Sequence, residues 1–155
     1  VRVDESRPEL IKAMITGPED TPYANGCFEF DILLPSDYPN APPRVKHLTI
    51  TGTSDKFNPN LYENGYVCLS LLGTWDRPSW IAEKSTVLQV LVSIQGLVFV
   101  KEPYYNEPGT EQSTYTQSSS QHYNRSVGFH TLNRAICHQI LNPPADFRDV
   151  VFQHF

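Results

Sequence analysis

This 155-residue chain has no long apolar run. The longest, Val87–Val100, is interrupted by Gln89, Ser93, Gln95 and Gly96, well short of the roughly 20 residues that a membrane-spanning helix needs. Cysteine is scarce: Cys27, Cys68 and Cys137 include no C-x-x-C pair and, being three, cannot all pair with one another. A disulfide scaffold is therefore not expected, and reduced thiols in the cytosol or nucleus are the simpler reading. Positive charge is also in short supply. Twelve basic against 17 acidic residues leave a formal charge of −5, which gives no footprint for nucleic acid or an anionic membrane. The five histidines show no ligand spacing with the cysteines, so no metal site is expected. A signal peptide is absent, and the chain opens on Val1 rather than methionine, as an excised piece of a longer chain would.

What is present suits one compact domain over residues 1–155, with a hydrophobic content of 39%. The alternation of Ile11, Ala13 and Ile15 predicts a strand over 9–16, and that of Phe28, Phe30, Ile32 and Leu34 predicts a second over 27–34. Between them, Asn25-Gly26 favours positive φ at the tip or exit of a hairpin loop. A proline-rich stretch, PSDYPNAPPRV, then leads to a third strand over 45–50. The second half is helical in pattern. Residues 85–100 predict a buried helix capped by Ser85, and 121–141 predict another whose Phe129, Leu132, Ile136 and Ile140 share a face. Asn142-Pro143-Pro144 stops it, and a last amphipathic stretch carries Phe147, Val150, Val151 and Phe155. The Ser/Thr/Gln-rich segment 110–121 predicts a mobile loop. Strands first and helices after give an α+β domain with an antiparallel sheet.

Cys68 stands out within FNPNLYENGYVCLSLL, after the turn-like Glu63-Asn64-Gly65 and at the entry to an apolar run. A cysteine there is ordinarily a small buried hydrophobe. Three segments in order, however, carry a family resemblance: GPEDTPYANGCFEFDILLPSDYPNAPPRV with its Tyr-Pro-x-x-Pro-Pro loop, NPNLYENGYVCLSLL, and SIQGLVFVKEPYYNEP. Over roughly residues 8–141 the chain resembles ubiquitin-conjugating enzymes. Within that family LLGTW, LQVLVSIQGL, EPYYNEP and the terminal FRDVVFQHF are similar to very large hybrid proteins that join conjugating and ligase activity.

The resemblance implies a conjugating-enzyme fold, an antiparallel meander sheet packed by helices, with the first family helix missing or truncated and an extra helix at the C-terminus. It implies that Cys68 is the nucleophile, accepting ubiquitin as a thioester from an activating enzyme and passing it to a substrate lysine. A thiolate attacks well, and the thioester it forms stays reactive towards amines. Asn60 lies eight residues before Cys68, the family spacing, and is expected to donate to the oxyanion or to order the loop. Glu107 falls where the family places an acid to orient or deprotonate the lysine. No bound cofactor is implied, since ATP is consumed by the activating enzyme. The implied partners are ubiquitin, the activating enzyme and substrate proteins.

The departures matter too. The family's histidine two residues before Asn60 is Asn58 here, and that histidine is structural in the family. An apolar residue of the proline loop and a Ser-Pro-Ala loop, both used to engage RING-type ligases, are replaced by Asn40 and by Ile81-Ala82-Glu83. Engagement of ordinary RING ligases is therefore not expected. Trp80 matches a family tryptophan that packs near the cysteine, with Trp75 on the other side. Cys27 and Cys137 are read as packing residues, and His130 and His138 as surface or packing residues of the late helix. Two alternatives remain open: a catalytically inactive module that binds ubiquitin or a partner through the same fold, and a cysteine hydrolase, for which no base can be assigned.

Overall fold

The structure, a computed structural model, describes residues 1–50, 53–74, 80–112 and 115–155. Its sheet is an antiparallel meander of β1 (Arg2–Asp4), β2 (Arg7–Thr16), β3 (Cys27–Leu33) and β4 (Arg44–His47), in sequence order. The alternation read from the sequence sets the register: Ala13 pairs with Phe30 and Phe30 with His47, while Ile15 pairs with Phe28. These residues point into one core, and their polar neighbours Lys12 and Asp31 pair on the outer face. β1 carries three exposed residues and no alternation, so no sequence pattern announced it.

β4 is shorter than the 45–50 expected. Beyond His47 the chain leaves the ladder, and Thr49 Oγ1 accepts the Glu29 amide (2.8 Å) in place of a backbone carbonyl. In the hairpin loop Asn25 takes the positive φ, 62°, together with Asp20 at 59°. Gly17 closes the loop by donating to the Gly26 carbonyl (2.9 Å), and a Cβ on Gly17 would fall 1.8 Å from the carbonyl oxygen of Tyr23. Only glycine fits so close to a backbone.

Helix α1 (Val87–Ser93) continues as a π-wound turn, Ile94–Val98, with Val90, Ile94 and Val98 buried. Its cap is Thr86, not Ser85. Thr86 Oγ1 accepts from the Gln89 amide while Gln89 Oε1 accepts from the Thr86 amide, a capping box that Ser85 has no partner to make. The Ser85 hydroxyl instead accepts from the Ile81 amide.

The late helix differs from expectation at both ends of the argument. α2 (Gln117–His130) runs into a π-wound stretch (Thr131–His138) and α3 (Gln139–Leu141), so 117–121 is helix rather than mobile loop. Ser120 is buried there, with its hydroxyl on Glu102 (3.1 Å). The predicted apolar face also turns outward. Phe129, Leu132 and Ile140 are exposed, whereas Val127, Thr131, Ala135 and Gln139 are buried at four-residue intervals. The buried positions run through α2, the π-wound stretch and α3, and the passage from α to π winding offsets the drift that either winding alone gives a four-residue repeat. Cys137 is consequently exposed, contrary to its reading as a packing residue; Cys27 is fully buried.

After the turn Ala145–Phe147, α4 (Arg148–His154) is the additional C-terminal helix. Phe147 and Val151 are buried, Arg2 sits over the Phe147 ring, and Lys12 and Arg2 bind Asp146 and Asp149. The segment thus covers part of the outer face of β1 and β2. Among the described residues no helix is long and apolar enough to cross a membrane.

His47 ends β4 in the aromatic core, stacked on Phe30 at 4.8 Å and edge-on to Phe57. Burial pushes its imidazole down to about 3 from an ordinary 6.5. The unfolded chain therefore takes up a proton below pH 6.5 that the folded chain refuses. The stability held above pH 6.5 is lost as pH falls towards 3, by about 2 kcal/mol from this group at pH 5. Urea unfolding at pH 7.5 and pH 5 is expected to show this loss, and His47→Phe to reduce it. An unchanged pH slope in the variant would contradict the assignment.

Candidate functional site

The chain from Phe57 to Thr74 leaves the core, makes a turn and returns. Phe57 is fully buried and its carbonyl accepts the Tyr23 hydroxyl (2.6 Å). Asn58, 3% exposed, donates to the Val98 carbonyl (2.7 Å) and the Tyr23 hydroxyl (3.0 Å), and accepts from the Asn60 amide (2.8 Å). One side chain thus ties the hairpin loop, the end of α1 and the site segment together. On the returning limb, Tyr66 bridges to Lys46 and the Gly65 carbonyl accepts the His47 amide (2.8 Å), which fastens the segment to β4. Gly65 takes a φ of 86°, accessible to glycine at little cost.

Asn60 and Cys68 face each other across this turn. The Cys68 amide donates to the Asn60 carbonyl (2.8 Å), and Asn60 Nδ2 donates to the Cys68 carbonyl (2.9 Å). The sequence spacing of eight residues is therefore the span of one closed loop. Cys68 is 5% exposed, and its thiol donates to the Thr74 carbonyl at 3.3 Å. Burial raises the thiol above its ordinary value, opposed by a side-chain hydrogen bond from Thr74. In this arrangement the sulfur rests as a protected thiol.

Thr74 was not singled out from the sequence. Its hydroxyl accepts the Leu69 amide (2.8 Å) and donates to the Leu69 carbonyl (3.0 Å), and its own carbonyl takes the Cys68 proton. Gly73, at φ 69°, turns the chain back so that this contact can form. The Gly-Thr pair just after the cysteine's short 3-10 turn (Ser70–Leu72) was the available signal.

Glu107 is placed differently. It ends the 3-10 turn Pro103–Asn106, exposed, on a cleft of about 640 Å³ lined also by Asn58, Pro59, Tyr62, Glu63, Tyr104 and Tyr123. Cys68 is not among the lining residues; the cleft reaches the site through the two residues before Asn60. Burial and the charge of Glu107 push the Tyr123 phenol up to about 12. Asn106 reinforces the junction by donating to the Leu97 carbonyl (3.1 Å).

Trp80 donates from Nε1 to the Pro39 carbonyl (2.7 Å) and packs against Tyr38, locking the proline loop to the segment beyond the site. Trp75 lies outside the described residues. Ile81 is exposed. His130 is engaged within its own neighbourhood: its Nδ1 lies 3.3 Å from Asp55 and its Nε2 is 3.2 Å from the Ser126 hydroxyl, with Arg134 on the same carboxylate (2.7 Å).

Comparison with known proteins gives one consistent answer. The sequence profile of the ubiquitin-conjugating enzyme family matches residues 2–131. The dual E2 ubiquitin-conjugating enzyme/E3 ubiquitin-protein ligase BIRC6 of Homo sapiens is 52% identical across the whole of this chain, which covers 3% of that protein. The probable ubiquitin-conjugating enzyme protein 17 of Caenorhabditis elegans is 49% identical over 97% of this chain and 21% of its own length. The present sequence thus spans a small part of these relatives. Among solved structures, the conjugating domain of a Toxoplasma gondii ubiquitin-conjugating enzyme superposes with a TM-score of 0.66 at 25% identity, covering 86% of this chain and 87% of that one. On its fold, its site segment and these matches, the chain belongs to the ubiquitin-conjugating enzyme family.

Proposed function

We propose that this domain carries ubiquitin as a thioester on Cys68 and transfers it to substrate lysines. The observation that carries the reading is the closed loop in which Asn60 and Cys68 hold each other by two hydrogen bonds. In loading, the Cys68 sulfur attacks the carbonyl of the ubiquitin–activating enzyme thioester. A new C–S bond forms, the old one breaks, and the activating enzyme's sulfur leaves as a thiolate, with the proton given up by the Cys68 thiol passing to that leaving sulfur or to solvent. In transfer, the lysine amine attacks the same carbonyl, a C–N bond replaces the C–S bond, and the proton lost by the amine is matched by one regained at sulfur or in solvent.

Three groups have roles in this proposal. Cys68 must release its hydrogen bond to the Thr74 carbonyl before it attacks. Asn60 carries two amide N–H donors, and one is committed to the Cys68 carbonyl. The other is available to the oxyanion, so loop ordering and oxyanion stabilisation are compatible in one residue. Glu107 orients the incoming amine and accepts its proton; an ammonium of ordinary pKa near 10.4 is otherwise no nucleophile. Ligase activity in the same chain, which the name of the human relative prints for that protein, agrees with the replacement of ligase-binding positions by Asn40 and Ile81-Ala82-Glu83.

A pulse–chase measurement tests the transfer step. Once the enzyme is charged, excess lysine is expected to discharge it, and Glu107→Gln to slow that discharge by at least about a hundredfold. Equal rates would remove Glu107 from the proposal.

A further inference from the structure

The cleft at Glu107 is larger than transfer of one amine requires. Its volume, about 640 Å³, falls in the range of ligand pockets, roughly 300–1,000 Å³, and it is widely open to solvent. A second depression, of about 590 Å³, shares Lys56, Tyr104 and Tyr123 with it and continues along the first turns of α2 past Ser118 and His122. Together they form a groove that starts beside Asn58 and Pro59 and runs away from the site, a shape for a stretch of polypeptide.

Its walls are aromatic, and its carboxylates lie in the first depression, at the end beside Asn58 and Pro59. Tyr104 and Tyr123 meet edge to face at 6.0 Å, and Tyr62 is 49% exposed beside them. Glu63 and Glu107 are both exposed, and neither is held in an ion pair among the described residues. Lys56 offsets one of these two carboxylates and leaves the lining of the first depression negative. Aromatic faces carry cations as well as methylene stems, and the carboxylates favour the same charge.

We infer that Tyr104 and Tyr123, together with Glu63, form an acceptor-side subsite that takes a basic side chain next to the lysine being modified, so that this domain selects lysines lying in basic segments of its substrates. The inference rests on the proposed transfer from Cys68. The methylenes of the neighbouring Arg or Lys lie on the tyrosine rings, its charge lies against Glu63, and Glu107 is left to the acceptor lysine, which is thereby registered against the thioester. The raised Tyr123 phenol stays neutral throughout the working pH range, so it adds no competing anion.

The test uses the ubiquitin-charged protein and two peptides, each with one lysine, flanked by arginine in one and by glutamate in the other. Single-turnover discharge is expected to be about tenfold faster to the arginine peptide, the effect of one cation–π and carboxylate contact. Raised salt is expected to narrow the difference. Tyr104→Ala and Glu63→Gln are each expected to reduce the preference to about twofold or less, whereas Tyr123→Phe, which keeps the ring, retains it. Melting temperatures of the variants identify any that fail to fold. Equal discharge to both peptides by the wild type, or an intact preference in folded Tyr104→Ala and Glu63→Gln, overturns the inference alone. Failure of the wild type to become charged overturns the transfer reading and this inference with it.

Discussion

Asn60→Ala is expected to slow transfer from the charged enzyme to lysine by about a hundredfold or more, the loss that follows removal of one preorganised oxyanion donor. The structure adds a second consequence. Asn60 Nδ2 also holds the Cys68 carbonyl, so the alanine variant loosens the loop that presents the sulfur. The two effects separate by measurement. Loop loosening lowers the thermal midpoint and slows both charging and discharge. Oxyanion stabilisation acts on the barrier to acyl transfer, with a modest change in the midpoint. Asn60→Asp retains side-chain size but loses both N–H donors, and is expected to be nearly as slow as alanine. A folded Asn60→Asp protein with wild-type discharge would leave Asn60 a loop residue only.

The second large effect is one of stability. Asn58 is 3% exposed and carries three short hydrogen bonds, to Tyr23, to the Val98 carbonyl and from the Asn60 amide. Asn58→Ala leaves the part-buried Asn60 amide without its acceptor and takes from the Val98 carbonyl one of its two donors, the Val100 amide (2.9 Å) remaining. At about 1–3 kcal/mol for a buried polar group left without a partner, the expected loss is about 1–3 kcal/mol. A domain of ordinary stability has roughly 5–15 kcal/mol in hand, so the variant should still fold, with a lowered urea midpoint and an unchanged slope. Tyr23→Phe removes the neighbouring hydroxyl, which donates to the Phe57 carbonyl at 2.6 Å. Because Tyr23 and Asn58 share a hydrogen bond, the double variant is expected to lose less than the sum of the two single losses. Strict additivity would show that the network does not act as a unit.

Asn58 also illustrates how the sequence related to the structure. Its replacement of a family histidine was visible in the sequence, and the segment's chemistry could be read from the order Asn-Pro-Asn, Gly65, Cys68. What the sequence withheld was the partner set, since Tyr23 and Val98 are 35 and 40 residues away. The central strands were legible because Ile11–Ile15 and Phe28–Ile32 alternate strictly over a buried face. β1 was not, because all three of its residues are exposed and its place is set by pairing with β2. The late helix misled for a different reason. Its large apolar residues follow ordinary helical spacing, but Val127, Thr131, Ala135 and Gln139 form the packed face across the change from α to π winding, and three of the four are small or polar and gave that face little apolar signal. Thr74 was overlooked because its action on Cys68 comes from its backbone carbonyl, which no residue type advertises.

The buried, hydrogen-bonded thiol agrees with a residue that must be drawn out by its partners rather than one that reacts with any electrophile. Cys137, exposed on the late helix, is the more accessible sulfur, and Cys27 is sealed in the core with its thiol pushed up to about 11 by burial. Three cysteines in three environments therefore allow the central claim to be assigned to one atom.

The most direct measurement incubates the protein with activating enzyme, ATP and ubiquitin and resolves the products on a non-reducing gel. The account predicts one adduct that reductant removes, that persists in Cys27→Ser and in Cys137→Ser, and that in Cys68→Ser is either absent or resistant to reductant as an oxyester. A reductant-sensitive adduct that survives in Cys68→Ser, or a folded wild-type protein that is never charged, would contradict it.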